Sequence, residues 1–341
     1  MNTETAEKIQ LQLINGQDII PEHYSFDNII GQESVIKKLR FYLDSHKPGL
    51  FFPSMLFTGS HGLGKTYTAK VLAANMGRRF VEINCATLGP AKDFIETILL
   101  DRVMGMKPVT VLFDEAHKLS SEITTLLLSL LAPNNNGINI LEYKGWQISY
   151  DLAKANVIFA TTDSFKIFPP LVNRCETIYF KSYNNVELIN MLRFYLPEID
   201  LSRFTNANLE DLAYACRGRG RDTYALAQKI KRQCVSGKPF TVNKWNELKD
   251  IFGIYPMGLN AQELNLMRII RTAGAISCSN IATRMMVGEE NISEEIEIRP
   301  KELWLINNRP RGRVLTEKGE EYFKNLIKET NAQSEEALKG A

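Results

Sequence analysis

Cysteine and histidine are scarce in this chain. Its 341 residues contain five cysteines and four histidines, and no two cysteines form a Cys-x-x-Cys pair. Scattered cysteines in an odd number are typical of reduced thiols, so we expect a cytoplasmic protein without structural disulfides. The histidines lack the spacing of metal ligands, and no zinc site is expected.

Long apolar runs and a charge excess are also missing. No stretch of about eighteen apolar residues occurs, and the first residues are polar and acidic, so we expect neither a membrane span nor a secretory signal. The net charge is only +2, so any nucleic-acid binding must come from local basic clusters. A composition of 44% hydrophobic and 23% charged residues suits a globular protein of two or three domains.

A glycine-rich loop stands at residues 59–66, which read Gly-Ser-His-Gly-Leu-Gly-Lys-Thr. An apolar run precedes it and a helix-forming run, Tyr67–Met76, follows. Strand, glycine loop and helix in this order are the context of a phosphate-binding loop. Gly59, Gly62 and Gly64 allow backbone N–H groups to turn toward phosphate oxygens, and the helix N-terminus adds partial positive charge.

An acidic strand farther along the chain completes the pattern. Val109–Asp114 is an apolar run that ends in Asp114 and is followed by Glu115. Such a run suits a strand buried on both faces of a parallel sheet. Lys65 is predicted to reach the β and γ phosphates, while Thr66 and Asp114 hold Mg²⁺ and Glu115 activates the attacking water. The loop and the strand together predict an ATP-hydrolysing enzyme.

Apolar strands alternate with amphipathic helices over residues 25–182, which predicts a parallel α/β sheet. The predicted strands are Met55–Thr58, Phe80–Asn84, Val109–Asp114, Asn156–Thr161 and Thr177–Phe180. Alternating residues at 138–150 predict a β-hairpin around Lys144-Gly145. The segment after residue 183 predicts only helices, among them Val186–Tyr195, Leu209–Cys216 and Thr223–Val235, before a boundary at 236–239.

Three further residues are candidates for the nucleotide site, each with a plainer alternative. Thr162 follows a buried strand and could orient water near the γ-phosphate, although a threonine there is commonly structural. Arg174 could project across a subunit boundary as an arginine finger, or be a surface arginine. Arg221, at the start of a helix, could contact the nucleotide, or belong to a solvated basic stretch that includes Arg217 and Arg219.

The order of these motifs resembles that of the AAA+ ATPases. The resemblance rests on residues 26–33, the glycine loop, Asp114-Glu115, 160–162, 170–174 and 218–221. Near the C-terminal end, residues 309–316 read Arg-Pro-Arg-Gly-Arg-Val-Leu-Thr, which is similar to the wing of RuvB-like Holliday-junction branch-migration ATPases. The resemblance extends over roughly residues 20–325.

The resemblance implies an α/β AAA+ P-loop fold with a parallel sheet, a helical lid domain and a C-terminal winged-helix domain. The implied division is an N-terminal lead-in at 1–24, the large ATPase domain at 25–182, the lid at 183–238, the DNA-binding winged helix at 239–330 and a flexible tail at 331–341. It also implies ATP and Mg²⁺ as ligands, a homo-hexameric ring around duplex or junction DNA, and no membrane association.

The resemblance assigns roles to the matching positions. Ile29 and Ile30 would line the adenine pocket, and Tyr67, directly after the glycine loop, is counted with the nucleotide-binding residues. Thr162 would be sensor 1, Arg174 the finger acting in trans and Arg221 sensor 2. The wing arginines expected to contact DNA are Arg309, Arg311 and Arg313.

Three departures from the family mark the chain as divergent. Glu22-His23 replaces an Arg-Pro pair, and the loop has Gly-Ser-His-Gly where Gly-Pro-Pro-Gly is usual. The hairpin region between Leu131 and Ala155 is shorter than in typical RuvB, which brings docking of a RuvA-like partner through residues 138–150 into question.

Other functions fit part of the same pattern. A clamp-loader or helicase-loader subunit would share the ATPase core but carry a helical collar in place of the wing. A DNA-binding regulator would use ATP only as a switch, whereas Glu115 and Arg174 favour hydrolysis. The string Asp-Glu-Ala-His also occurs in DEAH-box helicases, but these need a second RecA-like domain. The leading hypothesis is an ATP-driven ring motor that translocates duplex DNA.

Overall fold

A computed structural model describes residues 24–47, 50–103, 108–132, 137–143, 145–234 and 239–339. It divides into two compact units. The first ends at Tyr183 and also includes Arg219–Arg221, and the second comprises Asn184–Gly218 and the residues from Asp222 onward. No helix within the described ranges is long and apolar enough to cross a bilayer. The lead-in up to residue 23, with Glu22-His23, lies outside these ranges, as do Lys144 and residues 236–238 of the predicted boundary at 236–239.

The first unit contains a five-stranded parallel sheet and a separate hairpin. Its strands are β1 (Met55–Thr58), β2 (Arg79–Asn84), β3 (Val109–Asp114), β4 (Ile138–Tyr143), β5 (Trp146–Asp151), β6 (Ala155–Thr161) and β7 (Glu176–Tyr179). The sheet order is β2-β3-β6-β1-β7, with every neighbouring pair parallel. All predicted sheet strands are confirmed to within one residue at each end.

Helices cover the sheet on both faces, which is why its central strands are apolar throughout. They are α1 (Glu33–Ser45), α2 (Lys65–Asn75), α3 (Ala91–Asp93), α4 (Ser121–Leu130) and α5 (Pro169–Val172), with a π-helix at Phe94–Val103 that continues α3. The rings of Phe113 and Phe159 stack at 5.3 Å between β3 and β6. Because the strands are parallel, the carboxyl ends of β1, β3 and β6 meet at one edge, where ligands bind in such sheets.

The predicted hairpin is confirmed as the antiparallel pair β4 and β5. The side-chain amide of Asn139 donates to the carbonyls of Leu130 and Ala132 at 2.8 and 2.9 Å, which ties the hairpin to the end of α4. Ile138 and Ile140 lie on its outward face and are 48% and 57% exposed. Leu141, Ile148 and Tyr150 face inward and are buried.

The second unit is mainly helical and contains a two-stranded wing before its last helix. Its elements are α6 (Asn185–Tyr195), α7 (Asn206–Ala215), α8 (Gly220–Gln233, from Asp222 onward), α9 (Val242–Phe252), α10 (Ala261–Ala273), α11 (Cys278–Met285), α12 (Glu289–Asn291), α13 (Ile298–Glu302), β8 (Ile306–Arg309), β9 (Gly312–Leu315) and α14 (Glu317–Lys339). Helix α14 continues to Lys339, within the predicted flexible tail at 331–341. The segment Gln333-Ser-Glu-Glu-Ala-Leu-Lys339 is rich in good helix formers, and the flexibility of the tail stays a prediction.

Buried polar groups join the elements of the second unit. Arg217, at the end of α7, binds both carboxylate oxygens of Glu263, and its Nη1 lies 3.1 Å from Oε2. Glu263 is also the third helical residue of a capping box whose N-cap is Asn260. In the wing, Gly312 has φ +119° and any Cβ there would lie 2.2 Å from the carbonyl oxygen of Ile276, so glycine is required.

Candidate nucleotide-binding site

The glycine-rich loop joins β1 to α2 in the predicted conformation. Gly62 and Gly64 have φ +75° and +91°, angles that glycine adopts without strain. Lys65, the first residue of α2, is 8% exposed, and its ammonium donates to the carbonyls of Gly59 and Ser60 at 2.6 and 2.8 Å. The loop therefore curls around its own lysine.

Two residues from distant parts of the chain hold this loop in place. The Tyr183 hydroxyl donates to the carbonyl of Leu63 at 2.9 Å. The backbone N–H of Arg221 donates to the carbonyl of Gly62 at 3.3 Å, so the start of α8 lies on the tip of the loop. No local pattern marks Tyr183, because its role depends on a contact across 120 positions.

The acidic pair lies beside the loop at the end of β3. The Thr66 hydroxyl donates to Asp114 Oδ2 at 3.3 Å, and the N–H of Glu115 donates to Asp114 Oδ1 at 3.0 Å. A hydroxyl and a carboxylate next to a phosphate loop fit Mg²⁺, which is commonly held by one or two protein oxygens together with substrate phosphates. Glu115 has φ 53° and ψ 44°, a left-handed conformation that costs energy for a residue other than glycine.

The third strand at this edge contributes Thr161 and Thr162. Thr161 is buried, its hydroxyl lies 3.1 Å from His117 Nδ1, and it accepts a hydrogen bond from Asp163 N–H at 3.0 Å. Thr162, the predicted sensor, is half-buried in the next position. His117 follows Glu115 on a short 3₁₀-helix (Ala116–Lys118) and so connects the acidic pair to β6. No motif in the sequence predicts this contact of His117.

The charges around the loop change the properties of its basic groups. The pKa of Lys65 is lowered to about 8, chiefly by burial and to a smaller extent by Arg221, and Asp114 and Glu115 partly oppose the shift. The pKa of His61 is also lowered, first by burial and then by Lys65, with smaller effects of Arg221 and Arg219. His61 thus faces mainly cationic neighbours, with Glu115 as the one opposing carboxylate, whereas Lys65 lies between Arg221 and the two carboxylates of the acidic pair.

The predicted adenine-side residues lie near the start of the described chain. Ile29 and Ile30 are half-buried and follow a 3₁₀ turn, Phe26–Asn28, that packs against α2. Tyr67, on α2 itself, is 36% exposed, and its ring centroid lies 5.3 Å from that of Tyr24. The Phe26–Asn28 turn thus lies against the helix that follows the phosphate loop.

Arg174 is not brought to the nucleotide loop of its own chain by any hydrogen bond or ion pair among the described residues. It follows α5, and its backbone N–H donates to the carbonyl of Leu171 at 3.1 Å. Its Nη1 is buried and has no hydrogen-bond partner in the described part of the chain. Buried guanidinium nitrogens without a hydrogen-bond partner are uncommon in native structures.

The wing arginines of the second unit differ from one another. Arg309 and Arg311, at the wing turn, are exposed. Arg313 is not, because its guanidinium binds both oxygens of the buried Glu297 at 2.9 and 3.2 Å. The structure therefore departs from the expectation that all three arginines face solvent, and it leaves Arg309 and Arg311 as the accessible pair.

Two family descriptions match the chain. Residues 55–183 match the ATPase family associated with various cellular activities (AAA), and residues 256–324 match the RuvB C-terminal winged helix domain. The first match contains the glycine loop, the acidic pair and Arg174. The second contains the wing.

Curated relatives and solved structures agree with these matches. The Holliday junction branch migration complex subunit RuvB of Wolbachia sp. subsp. Drosophila simulans is 26% identical over 95% of this chain and 99% of its own length. RuvB of Thermotoga maritima is 26% identical over 89% of this chain and 92% of its length. The structure titled Thermotoga maritima RuvB Holliday junction branch migration motor superimposes with a TM-score of 0.71 at 23% identity, covering 90% of this chain and 99% of that chain.

Proposed function

This chain is an AAA ATPase with a RuvB-type winged-helix domain, and on that basis we propose that it is a ring motor that translocates duplex DNA. Its proposed task is the branch migration of Holliday junctions in recombination and repair. One observation carries the proposal: a phosphate loop beside an acidic pair and a wing with two exposed arginines occur in one chain. A loader or an ATP-switched regulator would not need a RuvB-type wing in addition to Glu115 and Arg174.

The residues at the sheet edge divide the work of hydrolysis. The glycine loop and Lys65 bind the phosphates, and Glu115 accepts a proton from the attacking water as it approaches the γ-phosphate. The left-handed backbone at Glu115 is held between Asp114 and the Ala116–Lys118 turn. This conformation fixes the point from which the Glu115 side chain extends. His117 links this turn to Thr161, and Thr162 would orient the water from the neighbouring strand.

Mg²⁺ is the proposed metal cofactor, with Thr66 and Asp114 as the residues that would hold it. The 3.3 Å hydrogen bond between their side chains shows that both oxygens converge on one place beside the phosphate loop. A bound Mg²⁺ would neutralise charge on the phosphate oxygens. On the adenine side, Ile29, Ile30 and Tyr67 are the proposed contacts, and Arg221 the proposed sensor 2.

We propose a homo-hexamer in which Arg174 completes the nucleotide site of the neighbouring subunit. The buried Nη1, which has no hydrogen-bond partner among the described residues, supports this assignment. A RuvA-like protein is the proposed partner at the outward face of the hairpin, where Ile138 and Ile140 are exposed. A cytoplasmic location is proposed from the five cysteines, all of which are free.

A synthetic four-way junction with one labelled arm tests the proposal. The parent should convert the junction into duplex products only when ATP and Mg²⁺ are present, with or without a RuvA-type protein. Glu115→Gln should bind ATP and the junction but convert almost none of it. Glu122→Gln, which removes an exposed carboxylate from α4, is the matched control and should behave like the parent. Equal conversion by Glu115→Gln, or none by the parent under any of these conditions, would contradict the proposal.

A further inference from the structure

Two basic side chains beside the phosphate loop have no part in the scheme above. His61 lies within the loop itself, between Ser60 and Gly62, and is exposed. Arg219 lies two residues before Arg221, at the point where α8 begins. Both belong to the same compact unit as Lys65 and the acidic pair.

The start of α8 lies directly on the tip of the loop. A Cβ added to Gly62 would stand 3.2 Å from Arg221 Cβ, 3.4 Å from Arg219 Cβ and 3.8 Å from Arg219 Cδ. The hydrogen bond from Arg221 N–H to the Gly62 carbonyl fixes this approach. Arg219 thus runs along the loop with its aliphatic stem and is half-buried, whereas Arg221 is exposed. Arg219 therefore lies within 0.2 Å of the predicted sensor's own approach to the loop, with Cβ distances of 3.4 and 3.2 Å.

His61 faces charged groups from every element around the loop. They are Lys65 on α2, Glu115 after β3, and Arg219 and Arg221 at the start of α8. Three cations therefore oppose one carboxylate, and a protonated imidazole is disfavoured as long as no anion offsets them. A nucleoside triphosphate supplies several negative charges at this position and reverses the balance.

We propose that His61 and Arg219 are additional phosphate-binding residues of this site, and that His61 takes up a proton from solvent when a nucleoside triphosphate binds. The proposal deepens the function proposed above and rests on it. Arg219 would act through a charge-assisted hydrogen bond from its guanidinium to phosphate oxygens, an interaction for which arginine is well suited. The neutral imidazole accepts the proton on its free ring nitrogen and then donates to phosphate as an imidazolium.

The direction of the pH effect follows from the charges. In the free protein the pKa of His61 is lowered below its usual range, and bound phosphates raise it. Between these two values binding takes up a proton, so affinity should increase as pH falls. The increase can reach about tenfold per pH unit and ends once the free imidazole is itself protonated.

The affinity of a fluorescent ATP analogue is to be measured between about pH 5.5 and pH 7.5, around the normal titration of imidazole. The nucleotide's own terminal phosphate titrates in this range, but it does so equally with every variant, so the difference between proteins reports on His61. Calorimetry in two buffers of different ionisation enthalpy gives the number of protons taken up. His61→Gln is compared with His46→Gln, since His46 also has a lowered pKa but packs against Phe52. His61→Asn serves as a second variant.

The expected result is that His61→Gln and His61→Asn lose the extra pH dependence and about one proton of uptake, while His46→Gln keeps both. Arg219→Gln should bind the analogue about ten- to hundredfold more weakly, and Arg219→Lys should recover part of the loss because it keeps the charge. Arg203→Gln, at an exposed arginine on the second unit, should bind like the parent.

Each opposite result overturns part of the inference. If His61→Gln keeps the parent's pH dependence and proton uptake, His61 is not the proton acceptor. If Arg219→Gln binds as tightly as the parent, Arg219 is not a phosphate ligand, and the ATPase assignment stands without it. A parent that binds no nucleotide at any pH would overturn this inference together with the proposed function.

Discussion

A single buried lysine governs how the nucleotide site responds to alkaline pH. Lys65 is 8% exposed and burial lowers its pKa to about 8, so the free protein loses the ammonium well below the usual pKa of lysine. Phosphate binding requires the charged form. Above about pH 8 each binding event must therefore also restore a proton, and affinity should fall by up to about tenfold per pH unit.

The prediction for Lys65 is checked by nucleotide affinity between about pH 7.5 and pH 9.5, above the imidazole range. The parent should weaken progressively through this interval. Lys65→Arg is the control for the dependence of affinity on pH, because its guanidinium stays charged throughout this interval. If this variant binds more weakly than the parent, the loss should be the same at every pH. A parent affinity that remains constant over the interval would refute the role given to the lysine's titration.

Within the second unit, disruption of the capped N-terminus of α10 should cause the largest loss of folding stability. Glu263 is 1% exposed, binds Arg217 and closes the capping box with Asn260. Glu263→Ala leaves the Arg217 charge without its partner and should lower the free energy of unfolding by about 3 to 5 kcal/mol. Urea unfolding followed by the fluorescence of Trp245 and Trp304 measures the change.

The control for Glu263 is Glu320→Ala on α14. Glu320 pairs with Arg271, but its side chain is 44% exposed, so its loss should cost less than about 1 kcal/mol. Equal shifts of the unfolding midpoint in the two variants would mean that the buried pair contributes no more than an ordinary surface pair.

We expect Arg309 and Arg311 of the wing to bind DNA. Arg313 should affect DNA binding only by stabilising the fold of the wing. In Arg309→Ala/Arg311→Ala, the slope of log affinity against log salt should fall by about 0.9 for each lost phosphate contact. Binding should be weakened to a similar extent on different sequences, because phosphate contacts do not read bases. Duplex binding over a salt series gives both quantities.

Two comparisons make the wing experiment decisive. Arg193→Ala/Arg203→Ala removes the same charge from exposed positions outside the wing and should leave the slope unchanged. Arg313→Ala breaks the pair with Glu297 and should lower thermal stability more than it changes the slope. If the wing double variant keeps the parent's slope and affinity with its fold intact, the DNA contact lies elsewhere.

The elements best predicted from the sequence are those with a continuous local signal. The sheet strands were located to within one residue because each is an apolar run bounded by turn residues, and the hairpin because its residues alternate. Helix α7 was predicted to begin at Leu209 but begins at Asn206, because Thr205 caps a polar first turn that carries no apolar periodicity. Helix α2 likewise begins at Lys65, inside the glycine motif.

The parts of the site that the sequence did not predict are contacts between distant positions. Gln32 exchanges two hydrogen bonds with the backbone of Lys181 at 2.6 and 3.2 Å, and His117 meets Thr161. None of these pairs has a local pattern, since each depends on how the sheet brings its strands together. The pairing of Arg313 with Glu297 could not be seen for the same reason, and only the fold separates it from its two exposed neighbours.

On the scale of the whole molecule, Arg174 should require a second copy of the chain to function. Arg174 Nη1 is buried and has no hydrogen-bond partner among the described residues of its own chain. We therefore propose to mix Arg174→Ala with Lys65→Ala, two variants that should each be inactive alone. Arginine fingers contribute about 10³ to 10⁵ in rate. Mixed assemblies should recover part of the ATP turnover, because some interfaces then join an intact Lys65 to an intact Arg174.

Recovery is to be measured as ATP turnover after the two variants are combined, with co-assembly shown by differential labelling. The control is a mixture of Arg203→Ala with Lys65→Ala. In this mixture Arg174 is intact in every subunit, so the control shows how much turnover is added by a subunit with both Lys65 and Arg174. Proven co-assembly of Arg174→Ala with Lys65→Ala without any recovery would argue against a site shared between subunits.

The left-handed backbone at Glu115 has a practical consequence for anyone who improves this protein by selection. Asparagine and glycine tolerate φ 53° and ψ 44° better than glutamate does, so replacing Glu115 by either should relieve strain and raise the melting temperature. The same replacement removes the group that activates water. A library screened only for heat resistance would therefore enrich chains that still bind ATP but no longer hydrolyse it.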